Sequence, residues 1–381
     1  MSEKQRVLFI SEFAGFIGGT EKFIFESARL LAQNGRVCDM IFKTKTRGYD
    51  EFAGAFEHCL QFEDSAPLEN LEYEIKTMHR TEDARFLRFA LERHSPTLFV
   101  HDHIYWCPKG YKYYPFGRVN CRRTYSRTVC GLCSAAVPPR HYKNGAAEML
   151  KRNFAEMPAL NRTALEFPKF AVISDFMARE LEKNGAERSR IKKVSPFVDL
   201  PEAPAGREPG EFRILFAGQH VISKGLHLLI DALSKMKSDF RADILGQGAR
   251  TEFFKELAKK RGMESKLNFL GFQTDPSPHF ARADVVAFPS LWQEPFGLVG
   301  IEAMANAKAV VGFDVGGISE WLKDGVNGIL VKERDVSAFA EALDALAHDA
   351  ARRERMGEAG REMAAERFSK EQFLKSFLLL K

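Results

Sequence analysis

The sequence predicts an α/β protein of two Rossmann-like domains that face each other across a cleft. Three observations carry this. The chain has 381 residues, too many for one ordinary core and suited to two domains of usual size. Apolar strand-like runs alternate with amphipathic helical stretches twice over, the signature of βαβ units and parallel sheets. Between the two runs lies PFVDLPEAPAGREPGE, Pro196 to Glu211, with four prolines, two glycines and no apolar period, which reads as a linker.

Residues 1–197 make the N-terminal domain. It opens with a strand from Arg6 to Ile10, a Gly-rich turn from Gly15 to Thr20, a helix from about Glu21 to Asn34 and a strand near Val37 to Phe42. A long segment from Ile104 to about Asn144, rich in Tyr, Cys and Arg, reads as irregular. Alternation resumes with FAVIS, Phe170 to Ser174, where Ser174 and Asp175 cap the next helix. After a linker over 198–211, the C-terminal domain over 212–367 restarts the pattern with RILFAG. A helix from Lys224, strand ADILG, a helix over Thr251 to Arg261 and strand LNFLG follow. Strand DVVAFPS, a helix from Leu298, and strands AVVGF and GILV complete it. The last segment, 368–381, is a helix opened by the Ser369/Gln372 capping box, with Phe373, Leu374, Phe377 and Leu378 in one stripe. That stripe packs on its own domain or crosses back to the first.

Composition is that of a globular protein, 45% hydrophobic and 28% charged, which excludes disorder as the default. No stretch approaches the roughly 20 apolar residues of a membrane span, and the N-terminus carries no long apolar leader. A cytoplasmic protein is expected, with peripheral attachment to the inner membrane face left open. The formal charge is +5, but His101 to Leu165 holds eleven Lys/Arg against three acids, a local excess of eight. Such a stretch suits phosphates or an anionic bilayer surface.

The richest segment runs from Leu291 to Val331. Glu294 stands in a loop after an apolar strand, and Glu302 lies eight residues on, inside the next helix. Phe296, Gly297 and Leu298 between them offer backbone amides where that helix starts, and a helix start favours a phosphate. Two carboxylates flanking that point are acceptor-only groups suited to hydroxyls at the two ends of a sugar diphosphate.

Here the sequence resembles glycosyltransferase family 4, retaining enzymes of GT-B fold whose signature is E-x7-E. Glu294 and Glu302 match it, with PFG after the first Glu. FAGQHVISKG before it, ADVVAFPS just ahead and GGISEWLKDGVNGILV after it extend the likeness over most of Phe212 to Val331. The resemblance implies that Glu294 contacts hydroxyls of the transferred sugar and Glu302 the ribose. It makes Phe296, Gly297 and Leu298 amide donors to sugar and phosphate, and Lys224 the cation that neutralises the leaving pyrophosphate. It also places Gly218, Gln219, Gly246 and Phe272 around the donor. The family carries Arg where this sequence has Gln219, so a neutral amide stands where a guanidinium fork is usual.

In the N-terminal half, Gly18, Gly19 and Glu21 match the GG-x-E opening, and His101 with Asp102 matches the family's H-D after a strand. By resemblance, His101 faces the reacting sugar. No D-x-D pattern for a catalytic metal stands near a strand end, in keeping with metal-independent chemistry. Cys107, Cys121, Cys130 and Cys133, spaced C-x13-C-x8-C-x2-C, read either as a structural zinc site or as four reduced thiols. Tyr105, Trp106, Tyr111, Tyr113, Tyr114 and Tyr125, mixed with Arg, suit sugar rings or a lipid phosphate. Without a nucleic-acid-binding fold beside them, nucleic acid is not the expected partner.

The sequence therefore predicts sugar transfer, with retention, from a nucleoside-diphosphate sugar to a saccharide or lipid-linked acceptor in polysaccharide or cell-envelope assembly. A nucleotide-sugar epimerase of the same fold and a non-catalytic nucleotide-sugar-binding module stay open beside it.

Overall fold

The computed structural model describes residues 5–114, 119–136, 150–202 and 210–381. Residues 203–209 of the linker, and Arg118, Arg140, Lys143 and Glu148 of the basic segment, lie outside the described residues. The chain divides into two compact units, one of Met1–Pro196 with Phe373–Lys381 and one of Phe197–Gln372.

The first unit contains strands β1 (Arg6–Ala14), β2 (Val37–Lys45), β3 (His58–Gln61), β4 (Ile75–Met78) and β5 (Thr97–Val100). Strands β6 (Tyr113–Tyr114), β7 (Val119–Asn120), β8 (Phe170–Val172) and β9 (Ile191–Lys193) follow. Seven form one sheet in the order β3-β2-β1-β4-β5-β8-β9, every pair parallel. Val7, Leu8, Phe9 and Ile10 are completely buried, because crossover helices cover both faces of a parallel sheet. The strand order reverses between β1 and β4, and the carboxyl ends of strands at such a switch point are where open α/β sheets hold ligands.

The segment read as irregular carries structure of its own. β6 and β7 pair antiparallel, and Arg127–Ala136 is helical. The signal is Ser126, whose hydroxyl accepts from Val129 N at 3.4 Å while its carbonyl accepts from Cys130 N at 2.8 Å. The local positive charge is also partly spent indoors. Buried Lys112 pairs with buried Glu180, and buried Arg152 pairs with Glu82 at 2.6 Å. Tyr105 and Trp106 are core residues, 2% and 3% exposed, rather than surface platforms. Their neighbours in the cluster are apolar side chains such as Leu98, Val100, Met157 and Leu160.

The second unit has β10 (Phe212–Ala217), β11 (Phe240–Leu245), β12 (Leu267–Gly271), β13 (Val285–Phe288), β14 (Ala309–Phe313) and β15 (Gly328–Val331). They form a parallel sheet in the order β12-β11-β10-β13-β14-β15, with the switch point between β10 and β13. The helix expected from Lys224 is instead a short 3-10 turn, Ile222–Lys224, followed by an α-helix over Leu226–Leu233. Gly225 separates the two with a φ of +75°.

The final helix, Lys370–Phe377, carries the chain back to the first unit. Phe373 and Phe377 are fully buried, the first edge-on to Phe23 at 5.7 Å and the second stacked on Phe9 at 6.1 Å. The apolar stripe read from the sequence thus crosses back. Among the described residues, no helix is long and apolar enough to cross a membrane.

Candidate active site

The switch point of the second unit brings the loop that carries Lys224 against the loop that carries Glu294. β10 leads into Gly218, exposed Gln219 and buried His220. Gly218 N donates to Leu245 O at 3.1 Å and Gly246 N to Gly271 O at 2.7 Å, which sets Gly218 and Gly246 side by side. The loops after β10 and β13 are tied by Leu291 N donating to Ser223 O at 2.8 Å. That tie brings the next residue, Lys224, over the loop that carries Glu294.

Glu294 is 5% exposed, and its carboxylate is held from several sides. Lys224 Nζ donates to Oε2 at 2.9 Å and to Oε1 at 3.1 Å. Ser290 Oγ donates to Oε2 at 2.8 Å, and the Trp292 indole N–H donates to the same oxygen. Lys224 Nζ also lies 5.1 Å from the centre of the Trp292 ring, a cation–π distance. Oε2 therefore carries three donors while Oε1 has one, so Oε1 keeps acceptor capacity for a ligand hydroxyl. Ser290 and Trp292 were not legible as site residues, because their role depends on folding back onto Glu294.

Two glycines fix this loop. Gly297 precedes the helix Leu298–Ala305 with φ +92°, where a Cβ would fall 2.7 Å from Phe288 Cζ. Gly316 has φ +60°, and a Cβ there would lie 2.3 Å from the carbonyl oxygen of Glu294, which accepts Gly317 N at 2.8 Å. First-turn amides of the helix have no intrahelical acceptor, so the helix presents donors and a positive dipole end at Gly297 and Leu298. Phe296 is buried edge-on to Phe368 at 5.4 Å, and its carbonyl accepts the indole N–H of buried Trp321 at 2.6 Å. Glu302 is half-buried on the helix, and Phe272, after β12, is 55% exposed.

In the first unit, Gly18 and Gly19 are exposed after β1, and Gly18 N donates to Glu21 Oε2 at 2.9 Å. Burial pushes the Glu21 carboxyl up. His101 follows β5, 9% exposed, with Nε2 at 2.8 Å from His79 Nδ1. His79 Nε2 lies 3.0 Å from Thr77 Oγ1. Burial, with Arg80 nearby, holds the His101 imidazole down to about 3, and burial with His101 beside it holds fully enclosed His79 well below its ordinary value. Both rings are neutral near pH 7. Asp102 accepts Ile104 N at 3.0 Å and faces Arg80 at 3.3 Å, with its carboxyl pushed up by burial.

Cys107, Cys121, Cys130 and Cys133 are free thiols. Cys130 Sγ accepts Ser126 N at 3.5 Å. Burial pushes the thiols of Cys107 and Cys130 up, Cys130 also feeling Cys107, Cys121 and Cys133. Among the described residues no group of three or more His, Cys, Asp or Glu is placed to hold a metal ion.

Residues 202–363 match the family model described as Glycosyl transferases group 1. The whole chain superposes on Anabaena HepE in complex with UDP-glucose with a TM-score of 0.72 at 18% identity, covering 98% of each chain. The fold is GT-B. A second GT-B neighbour is WaaG, described as a glycosyltransferase involved in lipopolysaccharide biosynthesis, with a TM-score of 0.70 at 16% identity over 98% of this chain and 99% of that one. In sequence, the chain is 35% identical over 207 residues to the D-inositol 3-phosphate glycosyltransferase of Nocardia farcinica, covering 47% of this chain and 45% of the relative. It is 31% identical over 167 residues to the lipopolysaccharide core biosynthesis glycosyltransferase LpsE of Rhizobium meliloti, covering 44% and 48%. The chain thus spans about half the length of the curated relatives it matches.

Proposed function

We propose that this chain is a retaining, metal-independent glycosyltransferase of family 4 that moves a hexosyl group from a nucleoside-diphosphate sugar to a saccharide or lipid-linked acceptor. The observation that carries this reading is the Lys224–Glu294 pair, set at the carboxyl ends of β10 and β13 beside the helix start at Gly297. Oε1 of Glu294 takes a sugar hydroxyl, Glu302 takes the ribose, and the Gly297 and Leu298 amides with Lys224 take the diphosphate. Phe272 and Gln219 border the nucleotide, and Gly18, Gly19 and His101 are the candidate ligand contacts of the first unit. In the reaction the bond from the anomeric carbon to the β-phosphate oxygen breaks and the acceptor oxygen bonds that carbon on the same face. The departing diphosphate takes the acceptor's hydroxyl proton, and Lys224 stabilises the charge it gains.

The UDP-glucose complex of HepE supports a uridine donor, and LpsE supports a saccharide acceptor of the cell envelope. A cytoplasmic location, peripheral at an anionic membrane face through the basic segment, goes with a lipid-linked acceptor. Incubation with UDP-, GDP- and ADP-sugars, with and without acceptor extract, tests the whole reading by release of free nucleoside diphosphate. Exposed, neutral Gln219 favours one rival, a module that binds nucleotide sugar without transfer. Binding without release from any donor would establish that rival.

The four cysteines are proposed as ligands of a structural zinc. The donor set suits zinc, but among the described residues the thiols as they stand do not form a closed site. Zinc would draw them together and staple the loop. Metal analysis of the purified protein is expected to find one zinc per chain; absence of stoichiometric metal rejects it.

A further inference from the structure

Thr77, His79 and His101 form a line of hydrogen bonds at the carboxyl ends of β4 and β5. Thr77 Oγ1 lies 3.3 Å from the carbonyl oxygen of Leu8. A carbonyl has no proton to give, so the hydroxyl donates there. With its proton committed, Thr77 Oγ1 accepts from His79 Nε2 at 3.0 Å. A neutral imidazole carries one N–H, so His79 holds its proton on Nε2 and a lone pair on Nδ1. His101 Nε2, 2.8 Å from that lone pair, must then donate. Its other nitrogen, Nδ1, is left unprotonated.

Two further observations bear on that nitrogen. His101 Nδ1 has no hydrogen-bond partner among the described residues, and the side chain keeps a small exposed surface, 9% of the residue. The rings are also held in plane. Phe99 stacks on His101 at 4.6 Å and 11° and on His79 at 5.2 Å and 13°, and Phe23 meets His101 edge-on at 5.2 Å. Burial keeps both imidazoles neutral across the working range of pH, so each carries a single proton there.

We propose that His79, backed by Thr77, is a positioning residue that fixes His101 as the Nε2–H tautomer and leaves its bare Nδ1 as an acceptor for a ligand hydroxyl at the carboxyl ends of β4 and β5. The inference rests on the nucleotide-sugar reading above for the identity of that ligand, while the tautomer itself does not depend on it. An acceptor-only nitrogen selects a hydroxyl donor and disfavours a carbonyl or phosphate oxygen at the same place.

The test is long-range proton–nitrogen NMR on the full chain labelled with 15N-histidine, with signals assigned through His79→Gln and His101→Gln. The expected result is an Nε2–H tautomer for both residues, with 15N–15N coupling across the hydrogen bond from His101 Nε2 to His79 Nδ1. A proton on His79 Nδ1, as follows if Thr77 donates to His79 instead, overturns the proposal. In His79→Leu the His101 proton is expected to exchange between both nitrogens; an unchanged tautomer removes His79 from the role. With UDP-glucose as probe, His79→Leu is expected to lower kcat/KM about tenfold, the scale of one hydrogen bond. His79→Gln, whose amide accepts from His101 and donates to Thr77, should stay within about twofold. Equal losses in both variants overturn the positioning role. A wild-type protein inert toward UDP-glucose but showing the expected tautomer would count against the donor reading and leave the tautomer established.

Discussion

Lys224 and Glu294 meet as a bidentate pair, Nζ lying 2.9 Å from Oε2 and 3.1 Å from Oε1. The cation proposed for the diphosphate is thus already partly neutralised by the carboxylate proposed for the sugar. A pair with one side chain a quarter exposed gains little stability from its charge alone. Its weight falls on orientation instead.

Glu294→Gln separates the two roles. The amide keeps the shape but loses the charge that holds Lys224, so UDP affinity measured by calorimetry is expected to hold or rise. Turnover should fall by about a hundredfold or more, as when one transition-state contact is removed. Glu302→Ala is expected to act the other way, weakening UDP binding. Wild-type kinetics in both variants would reject the site.

Gly316→Ala tests the backbone beneath Glu294. The added methyl would need room 2.3 Å from the Glu294 carbonyl, at a φ of +60°. The expected outcome is a lower melting temperature together with impaired donor turnover, from displacement of the loop. A variant with wild-type stability and activity would show that the loop absorbs the methyl.

The buried histidines make a prediction about acid. His101 is held down to about 3 and His79 well below its ordinary value, so between roughly pH 6.5 and 3 the unfolded chain binds protons that the folded chain refuses. Stability should rise with pH through that window and be lost as pH falls, by at most about 1.4 kcal/mol per pH unit for each imidazole. Denaturant unfolding at pH 7.5 and 5.5 measures it, and the double variant His79→Gln/His101→Gln should show a shallower dependence. The same dependence in both proteins would mean that other groups govern it.

Deletion of residues 373–381 removes Phe373, Phe377 and Leu380, each at most 3% exposed. Burial of one such side chain contributes about 1.5–3 kcal/mol, against the ~5–15 kcal/mol that holds a domain folded. Calorimetry of the truncated chain is expected to show the first unit melting earlier and the second unchanged. A single unaltered transition would deny the returning segment its structural role.

Much of this was legible in the sequence. Val7 to Ile10 and Val285 to Phe288 read as buried parallel strands because both faces are covered and the runs are unbroken. The placing of Glu294, Gly297 and Glu302 on one loop and the helix that follows was legible because it depends on spacing along the chain alone. Ser290, Trp292, Thr77 and His79 were not. Each acts on a residue it meets only through loop closure or strand pairing, and neither leaves a periodic trace. Tyr105 and Trp106 misled in the opposite sense, since composition marks an aromatic cluster without saying which members face inward. Likewise Lys112 and Arg152 counted toward a surface charge that they spend in internal pairs.

The returning segment also sets an order of assembly during synthesis. The whole of the second unit, Phe197 to Gln372, is translated before Phe373 can reach Phe23 and Phe377 can reach Phe9. Domains ordinarily fold in the order in which they leave the ribosome, but here the unit that emerges first is completed last. Until then Phe9 and Phe23 lack their covering rings, immediately behind the His79–His101 pair. His79 and His101 therefore gain their full enclosure only after the second unit has been made.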